Sequence, residues 1–497
     1  MKNNACWLYS TAAVRELERL AVTNGAVTGY DLMNRAGAAV LAVIKQQYPR
    51  ARRLLVCCGG GNNGGDGYVV ARLAQRAGYV ADVLSLAEPE QLTGDARRAY
   101  QDWQTLGLGL INADNLNEID VLVDALIGTG LQREVTGIWR SMIEAINALS
   151  VPVVAVDVPS GLNADTGSVM GVAVRANITV SFLGLKPGLF THQAADYCGD
   201  IRFEDLGLPV SVYQQVAAQA RLLCFSDIQQ HFKPRQRNSH KNQHGHVLVI
   251  GGDFGMAGAI RLTAEAALRA GAGLVTVMTR PEHITALVAA RPELMVWGTS
   301  NGDIPHEVLQ RADVIAIGPG LGQSVWGRQL LSQVLASKHP KVVDADALKL
   351  LTLDDGSRQD WVLTPHPGEA ARLLGVSNAE VQADRCAAVK QLYQRYGGVV
   401  VLKGAGSLVG SAAGELCVCP HGNPGMAVAG MGDLLTGVIA ALVAQGCNLR
   451  QAADWGVLIH ACAGDLAARQ GGERGLLASD LLDAIRIMVN GGVDEQP

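Results

Sequence analysis

Short apolar runs recur through the first part of the chain, at Leu54–Cys58, Val80–Leu86, Val121–Ile127 and Val151–Val156, separated by segments of a different period. Between the first two, Val69, Val70, Leu73, Ala74 and Ala77 share one face of a helix predicted over Tyr68–Gly78. Continuous apolar runs that alternate with amphipathic helices predict a parallel sheet covered on both faces. The character changes across Leu206–Gly245, where Val212–Leu223 reads as a connecting element. A polar stretch rich in Lys233, Arg235, Arg237, His240, Lys241 and His244 follows. A solvated loop after a domain boundary and a segment facing an anionic ligand both fit that stretch. A second series then begins, with strands predicted at Val247–Ile250, Leu274–Met278, Val314–Ile317, Lys341–Asp344 and Val399–Leu402, and alanine-rich helices such as Ala257–Ala270. The chain therefore reads as two α/β domains, a Rossmann-like one over 1–218 and another over 219–497. No repeat at the period of a solenoid is present.

Composition narrows the class. Of 497 residues, 48% are apolar and 18% charged, which excludes disordered and fibrous chains. The 58 glycines exceed the ~7% of average usage and cluster between apolar runs, as in loops that approach phosphates. A net charge of −5 gives no nucleic-acid footprint. The ten cysteines include no C-x-x-C pair, and Cys417 and Cys419, one residue apart, suit a strand better than a zinc clamp. Together with adjacent Cys57 and Cys58 they read as reduced core thiols of a cytoplasmic protein. No apolar h-region follows Met1 and Lys2, and no long uninterrupted apolar stretch occurs, so neither a signal peptide nor a membrane span is expected.

The first dense motif is Gly59-Gly60-Gly61-Asn62-Asn63-Gly64-Gly65-Asp66-Gly67, between a predicted strand and a predicted helix. Glycines admit a phosphate to the backbone, and a helix N-terminus offers unpaired N–H groups. Gly59, Gly61 and Gly64 satisfy G-x-G-x-x-G, with Asp82 downstream, which is the dehydrogenase pattern. That pattern needs its acid at a strand end, whereas Asp82 lies inside Val80–Leu86. It also leaves Asn62, Asn63 and Asp66 unused, although such oxygens, packed in a tight loop, suit ribose hydroxyls or a hard cation. A purely structural turn with Asx caps is the bland alternative. Two more strands end in Asp124, followed by Ala125 to Leu131, and in Asp157-Val158-Pro159-Ser160-Gly161. Ligands gather at the carboxyl ends of parallel strands, so these segments should converge.

These three motifs, in this order, resemble the NAD(P)H-hydrate epimerase family over about 200 residues. The resemblance implies a hydrated nicotinamide nucleotide bound by Asn62, Asn63, Gly64, Gly65 and Asp66, by Gly128, Thr129, Gly130, Leu131, Gln132, Arg133 and Glu134, and by Asp157. It also implies a potassium ion held by Asn63, Asp124 and Ser160. Epimerisation needs acid–base help, for which Asp157 is the candidate. Lys186, in Gly184-Leu185-Lys186-Pro187, is a second candidate that reads equally well as a surface lysine.

In the second half, Asn423-Pro424-Gly425-Met426 precedes Gly430-Met431-Gly432-Asp433, which opens an apolar helix over Leu434–Val443. Two glycines at a helix start can seat an anion, and Asp433 could take a proton from a hydroxyl attacking a phosphoryl group. Asp433 as a simple N-cap is the alternative. Leu402-Lys403-Gly404-Ala405-Gly406-Ser407 and Gly318-Pro319-Gly320-Leu321-Gly322 end two other strands, and Thr364-Pro365-His366-Pro367-Gly368-Glu369 forms a rigid turn. Walker A is absent.

This set resembles the ribokinase-like superfamily and, within it, the ADP-dependent NAD(P)H-hydrate dehydratases, over about 270 residues. The resemblance implies substrate contacts from Ala259, Gly322, His366 and Asp433. It implies adenine-nucleotide contacts from Lys403, Gly404, Ala405, Gly406, Ser407 and Gly432, with ADP as donor and magnesium on its phosphates. Asp253 and Met256 stand where the family more usually has Ser and Tyr. A phosphorylated ring hydroxyl becomes a good leaving group, and the ring nitrogen can expel it, releasing AMP and phosphate overall. The two resemblances together imply a bifunctional repair enzyme for hydrated NADH and NADPH. Its partners would be small molecules, with no nucleic acid or membrane and with homo-oligomeric assembly. The competing reading is a vitamin-precursor kinase fused to a non-catalytic Rossmann-like binding module.

Overall fold

Strand Arg53–Cys58 illustrates why the N-terminal sheet needs cover on both sides. Leu54, Val56 and Cys58 enter one apolar cluster while Leu55 and Cys57 enter another. Strand side chains alternate between faces, so an uninterrupted apolar run must be buried twice. The computed structural model describes residues 6–25, 27–107, 109–111, 119–229, 234–352 and 355–492. The chain divides into two units, Met1–Arg221 and Leu222–Pro497.

In the first unit the 6-stranded sheet runs Val80–Ser85, Arg53–Cys58, Val121–Ala125, Val153–Val156, Ile178–Phe182, Asp200–Glu204. Every neighbouring pair is parallel. Helices Thr11–Thr23, Gly29–Gln47, Asn62–Arg76 and Gly94–Gln104 feed the larger cluster, and Met142, Ile143 and Ile146 of Gly137–Ala148 feed the smaller one. The predicted strands Val121–Ile127 and Val151–Val156 prove shorter: Leu126 and Ile127 leave the first at its carboxyl end, and the second begins only after Pro152. The predicted helix over Tyr68–Gly78 starts earlier, at Asn62. Asn62 to Asp66 are thus helical and not a loop, a correction with consequences for where their side chains point.

In the second unit the sheet order is Gly414–Val418, Leu408–Ser411, Val399–Leu402, Trp361–Leu363, Lys341–Val343, Val314–Ile317, His246–Ile250, Leu274–Thr279, Met295–Gly298. Pairing is parallel from Val399–Leu402 to Met295–Gly298 and antiparallel at the other end. Met295–Gly298, Trp361–Leu363 and the antiparallel pair lie outside the predicted strands; each is short or interrupted by polar residues. Helices Ala257–Arg269, Met431–Ala444 and Leu449–Gly471 bury one face of the sheet. Gly437 permits the closest helix contact there, since a Cβ on it would lie 2.1 Å from the Thr263 carbonyl oxygen. Within the polar stretch before this unit, Arg235 is exposed and ties down the Gly271 carbonyl at 2.6 Å, while Lys233 lies outside the described residues. Among the described residues no helix is long and apolar enough to cross a membrane, and the ten cysteines form no disulfide.

Gly59 fixes how closely the first strand approaches its neighbour: a Cβ there would sit 1.9 Å from the Leu126 carbonyl oxygen. Gly59→Ala should destabilise the N-terminal unit by about 3 kcal/mol, as for a badly overpacked core site. Scanning calorimetry should record its transition roughly 6–12 °C lower. An unchanged transition would mean that the Leu126 backbone gives way freely.

Candidate functional site

Strand order in the first unit reverses at Arg53–Cys58, with Val80–Ser85 on one side and Val121–Ala125 on the other. Open α/β sheets bind ligands at such a point, beyond the carboxyl ends of the strands. There a cavity of about 960 Å³ opens, lined by Asn62, Asn63, Asp66, the whole segment from Gly128 to Glu134, and Asp157. Helix Asn62–Arg76 begins at its rim with Gly61 as N-cap and no side-chain cap bond. Its first N–H groups are therefore available to an anion. Gly64 and Gly65 do not line the cavity. They are buried behind it, Gly64 against the Gly59 backbone and Gly65 against Met33 and Ala96.

Asp157 follows strand Val153–Val156 with φ of 64°, a left-handed conformation that is unusual outside glycine and asparagine. Its Oδ1 accepts from the Lys186 ammonium, from the Phe182 N–H at 3.1 Å and from the Ser181 hydroxyl at 3.2 Å. Lys186 is wholly buried and also donates to Ser181 Oγ at 3.0 Å and the Phe182 carbonyl at 3.1 Å. The surface reading of Lys186 is thereby overturned. Three donors crowd one oxygen of Asp157 and leave the other facing the cavity.

Asp66 has the opposite surroundings. Neither Asp66 nor Glu18 has a hydrogen-bond partner among the described residues, and both line the cavity with Asp95. Burial pushes the Asp66 carboxyl well above the usual carboxylate range, and the charges of Asp157 and Glu18 push it further. Glu18 is raised by burial too, with Asp157 and Asp95 adding and Arg15 opposing.

Asp124 lies deeper. It receives the Ser160 hydroxyl at 2.6 Å and the Ser160 and Leu126 N–H groups at 2.8 and 3.3 Å. Burial outweighs these donors and raises it to about 6. Among the described residues no cationic side chain pairs with it. Asn63 sits against Gly128, and its buried amide nitrogen has no partner.

In the second unit Lys403, just past strand Val399–Leu402, donates to Asp344 at 2.6 Å and lies 4.0 Å from Glu369. Thr436 donates to the other Asp344 oxygen at 2.9 Å. Burial opposes the charge on Lys403, but Asp344 and Glu369 outweigh it and raise its pKa. Gly432 is close enough that a Cβ would lie 3.1 Å from Lys403 Nζ. Asp433 is raised to about 7 by burial, with Asp344 adding, Lys403 opposing and Asp346 adding. The N-cap of Met431–Ala444 is Gly430, so Asp433 stands in the first turn and the capping alternative does not hold.

The other predicted contacts surround this group. His366 caps Pro367–Leu374, its Nδ1 accepting from Gly368 and Glu369, while its outer edge is exposed. Gly322 donates to Asp346 at 3.0 Å and abuts Asp253, and Ala259 lies beside Gly320. The turn from Lys403 to Ser407 leaves Gly404 and Ala405 exposed, and Ser407 closes it by bonding Gly404. Its carbonyls at Lys403 and Gly406 accept from the buried guanidinium of Arg385. Sequence reasoning missed Asp344, Asp346 and Arg385. Asp344 closes a predicted strand, the same signal that marked Asp124 and Asp157, but no glycine motif stands beside it. Arg385 carries no local signal at all.

Comparison with known proteins agrees with both halves. The family described as "YjeF-related protein N-terminus" matches residues 29–188, and "NAD(P)H-hydrate dehydratase" matches 247–486. The chain is 48% identical to the bifunctional NAD(P)H-hydrate repair enzyme Nnr of Coxiella burnetii, covering 97% of this chain and 99% of that one. It is 46% identical to that of Escherichia coli, covering 97% and 94%. Among solved structures it is similar to a ribokinase-like superfamily protein of Enterococcus faecalis (TM-score 0.51, 31% identity, covering 56% and 98%). It is also similar to an ADP/ATP-dependent NAD(P)H-hydrate dehydratase of Bacillus subtilis co-crystallised with ATP/Mg²⁺ (TM-score 0.50, 29% identity, covering 55% and 98%).

The buried ion pair can be tested by a double-mutant cycle. Lys186→Met should cost the N-terminal unit about 3 kcal/mol, because it strands Asp157 without its cation. Adding Asp157→Asn should recover more than about 1 kcal/mol of that loss in chemical denaturation. Strictly additive losses would mean that the pair contributes nothing as a pair.

Proposed function

The chain belongs to the bifunctional NAD(P)H-hydrate repair enzymes, and from that premise we propose how its two units share the work. The N-terminal unit interconverts the R and S epimers of hydrated NADH and NADPH. The C-terminal unit dehydrates the S epimer with ADP as donor, releasing AMP and phosphate. The observation that carries this reading is that each unit has its own lysine–aspartate site at the carboxyl edge of its own sheet.

In the N-terminal unit the diphosphate lies against the start of helix Asn62–Arg76 and the segment from Gly128 to Glu134 wraps the nucleotide. Asp157, oriented by Lys186, moves a proton at the ring hydroxyl. A potassium ion held by Asn63, Asp124 and Ser160 fits the oxygen chemistry there, since the buried Asp124 carboxylate lacks a cationic side-chain partner among the described residues. When bound, that ion supplies positive charge behind the loop that follows Asp124. In the C-terminal unit Lys403, Gly404, Ala405, Gly406, Ser407 and Gly432 hold the adenine nucleotide. Ala259, Gly322 and His366 position the hydrate. Asp433 takes the proton of the ring hydroxyl as that oxygen attacks the phosphoryl group, and Lys403 balances the charge that develops beside it. Magnesium, if bound, would come with the nucleotide and would neutralise part of its phosphate charge; among the described residues no group of three or more His, Cys, Asp or Glu side chains forms a cage for it. Ten cysteines without a disulfide among them suit a reducing, cytoplasmic setting. Family membership supports a homo-oligomer.

The decisive assay gives the purified chain a mixture of both NADH hydrate epimers with ADP, Mg²⁺ and K⁺, and follows NADH absorbance. Complete recovery is expected. Recovery of about half would confine the activity to the dehydratase, and a stable phosphorylated product would favour a small-molecule kinase instead.

Asp433→Asn should abolish dehydration, by about 10²-fold or more for a lost general base, and leave epimerisation intact. Asp157→Asn should do the reverse. Loss of both activities in either variant would contradict separate sites. Because Asp433 loses its proton near pH 7, the working carboxylate is depleted below that pH. The dehydration rate should fall about tenfold per pH unit below 7 and level off above it. A flat profile from pH 5 to about 8 would remove Asp433 from the base role.

A further inference from the structure

The cavity of the N-terminal unit is acidic where its ligand is anionic. Glu18, Asp66, Asp95, Glu134 and Asp157 all line it, against Arg15 and Arg133. A nucleotide diphosphate gains nothing from five carboxylates, so their purpose lies at the other end of the ligand. Among them Asp66 and Asp157 differ in kind. Asp157 has an ammonium and two further donors on one oxygen. Asp66 has no donor among the described residues and faces like charges, which is how a protein keeps a carboxylic acid neutral. Burial and the neighbouring Asp157 and Glu18 act on Asp66 in that direction. One carboxyl group held by an ammonium and two further donors, beside another with no donor among the described residues, gives one cavity two unlike carboxyl environments, the arrangement expected of a base and an acid.

We propose that Asp66 is the general acid of epimerisation, donating its proton to the ring hydroxyl so that it leaves as water. This rests on the reading of the N-terminal unit as the epimerase. The hydroxyl-bearing carbon is bonded to the ring nitrogen. As the carbon–oxygen bond breaks, its electron pair leaves with the water, and the nitrogen lone pair forms a second bond to carbon. The ring becomes a cation, and the carboxylates that line the cavity, Asp95 and Asp157 among them, stabilise it. Water then adds to the opposite face of the ring. Its oxygen supplies the new bond, the nitrogen recovers its pair, and the surplus proton passes to the cavity-facing oxygen of Asp157. Asp66 ends as a carboxylate and Asp157 as an acid, so the reverse inversion uses them with roles exchanged. The overall change is inversion at one carbon with exchange of its oxygen for one from solvent.

That exchange is the test. The full-length chain is incubated with the separated R epimer of NADH hydrate in ¹⁸O-water with K⁺ and without ADP, and both epimers are analysed by mass spectrometry. Every inverted molecule should carry the heavy oxygen. Asp66→Asn should slow inversion by about 10²-fold or more, as for a lost general acid, with Asp66→Glu recovering part of it. Dehydration of the S epimer with ADP serves as the internal control for folding and should not change. Inversion by the wild-type chain that retains the original oxygen overturns the proposal while leaving the epimerase reading intact, and it needs no variant. Undiminished inversion by Asp66→Asn overturns it as well. A wild-type chain that inverts neither epimer faster than buffer overturns the epimerase reading and this proposal with it.

Discussion

Lys186 and Lys403 each carry an ammonium group out of water and against an aspartate at the carboxyl edge of a parallel sheet. Removing a charge from water costs several kcal/mol, and a buried pair recovers that only with good geometry and further hydrogen bonds. Both lysines meet those terms. Lys186 has Asp157, Ser181 and the Phe182 carbonyl, and Lys403 has Asp344, which Thr436 anchors from the other side. Everything else at the two sites is arranged around these pairs. The cavity-facing oxygen of Asp157 is directed by what holds the first oxygen. The proton affinity of Asp433 is a balance between burial, Asp344 and Lys403.

The two units reach this arrangement by different chains of contacts. In the first, sterically tight glycines bring the motif Gly59–Gly67 under the end of Val121–Ala125, and a helix starts there without a side-chain cap. In the second, a distant arginine, Arg385, shapes the turn after Lys403 through its carbonyls, and two further turns, at Gly322 and His366, approach from separate strands. One chemical logic connects the two proposals. A hydroxyl beside a ring nitrogen is a poor leaving group, and on these proposals each unit improves it, one by a proton and the other by a phosphoryl group.

Much of this was legible in the chain. Runs such as Leu54–Cys58 and Val314–Ile317 announced strands because a strand buried on both faces cannot alternate. Strand-end aspartates flanked by glycines announced the sites. The rest was hidden for physical reasons. Asn62 to Asp66 looked like a loop because glycine and asparagine are poor helix formers, yet the helix begins there, held by packing of its later turns. Trp361–Leu363 is too short to show a period, and Leu408–Ser411 contains a glycine and a serine. Lys186 read equally well as an acid–base candidate and as a surface lysine, because nothing local reveals the carboxylate that meets it from Asp157. Arg385 acts from the first residue of helix Arg385–Tyr396 on a turn that follows it in the chain, a relation that only the fold creates.

The left-handed backbone at Asp157 limits the evolutionary routes open to the first unit. With φ of 64°, this position tolerates asparagine and glycine but penalises alanine, serine or glutamate through the backbone before any chemistry is affected. A lineage that shed the activity would therefore leave a narrow trace, with Asn or Gly at this position. One that kept the fold but took another residue there would have had to rebuild the turn. In a directed-evolution library the position should behave as closed, and new substrate preference should emerge from the segment between Gly128 and Glu134, much of which is exposed to solvent.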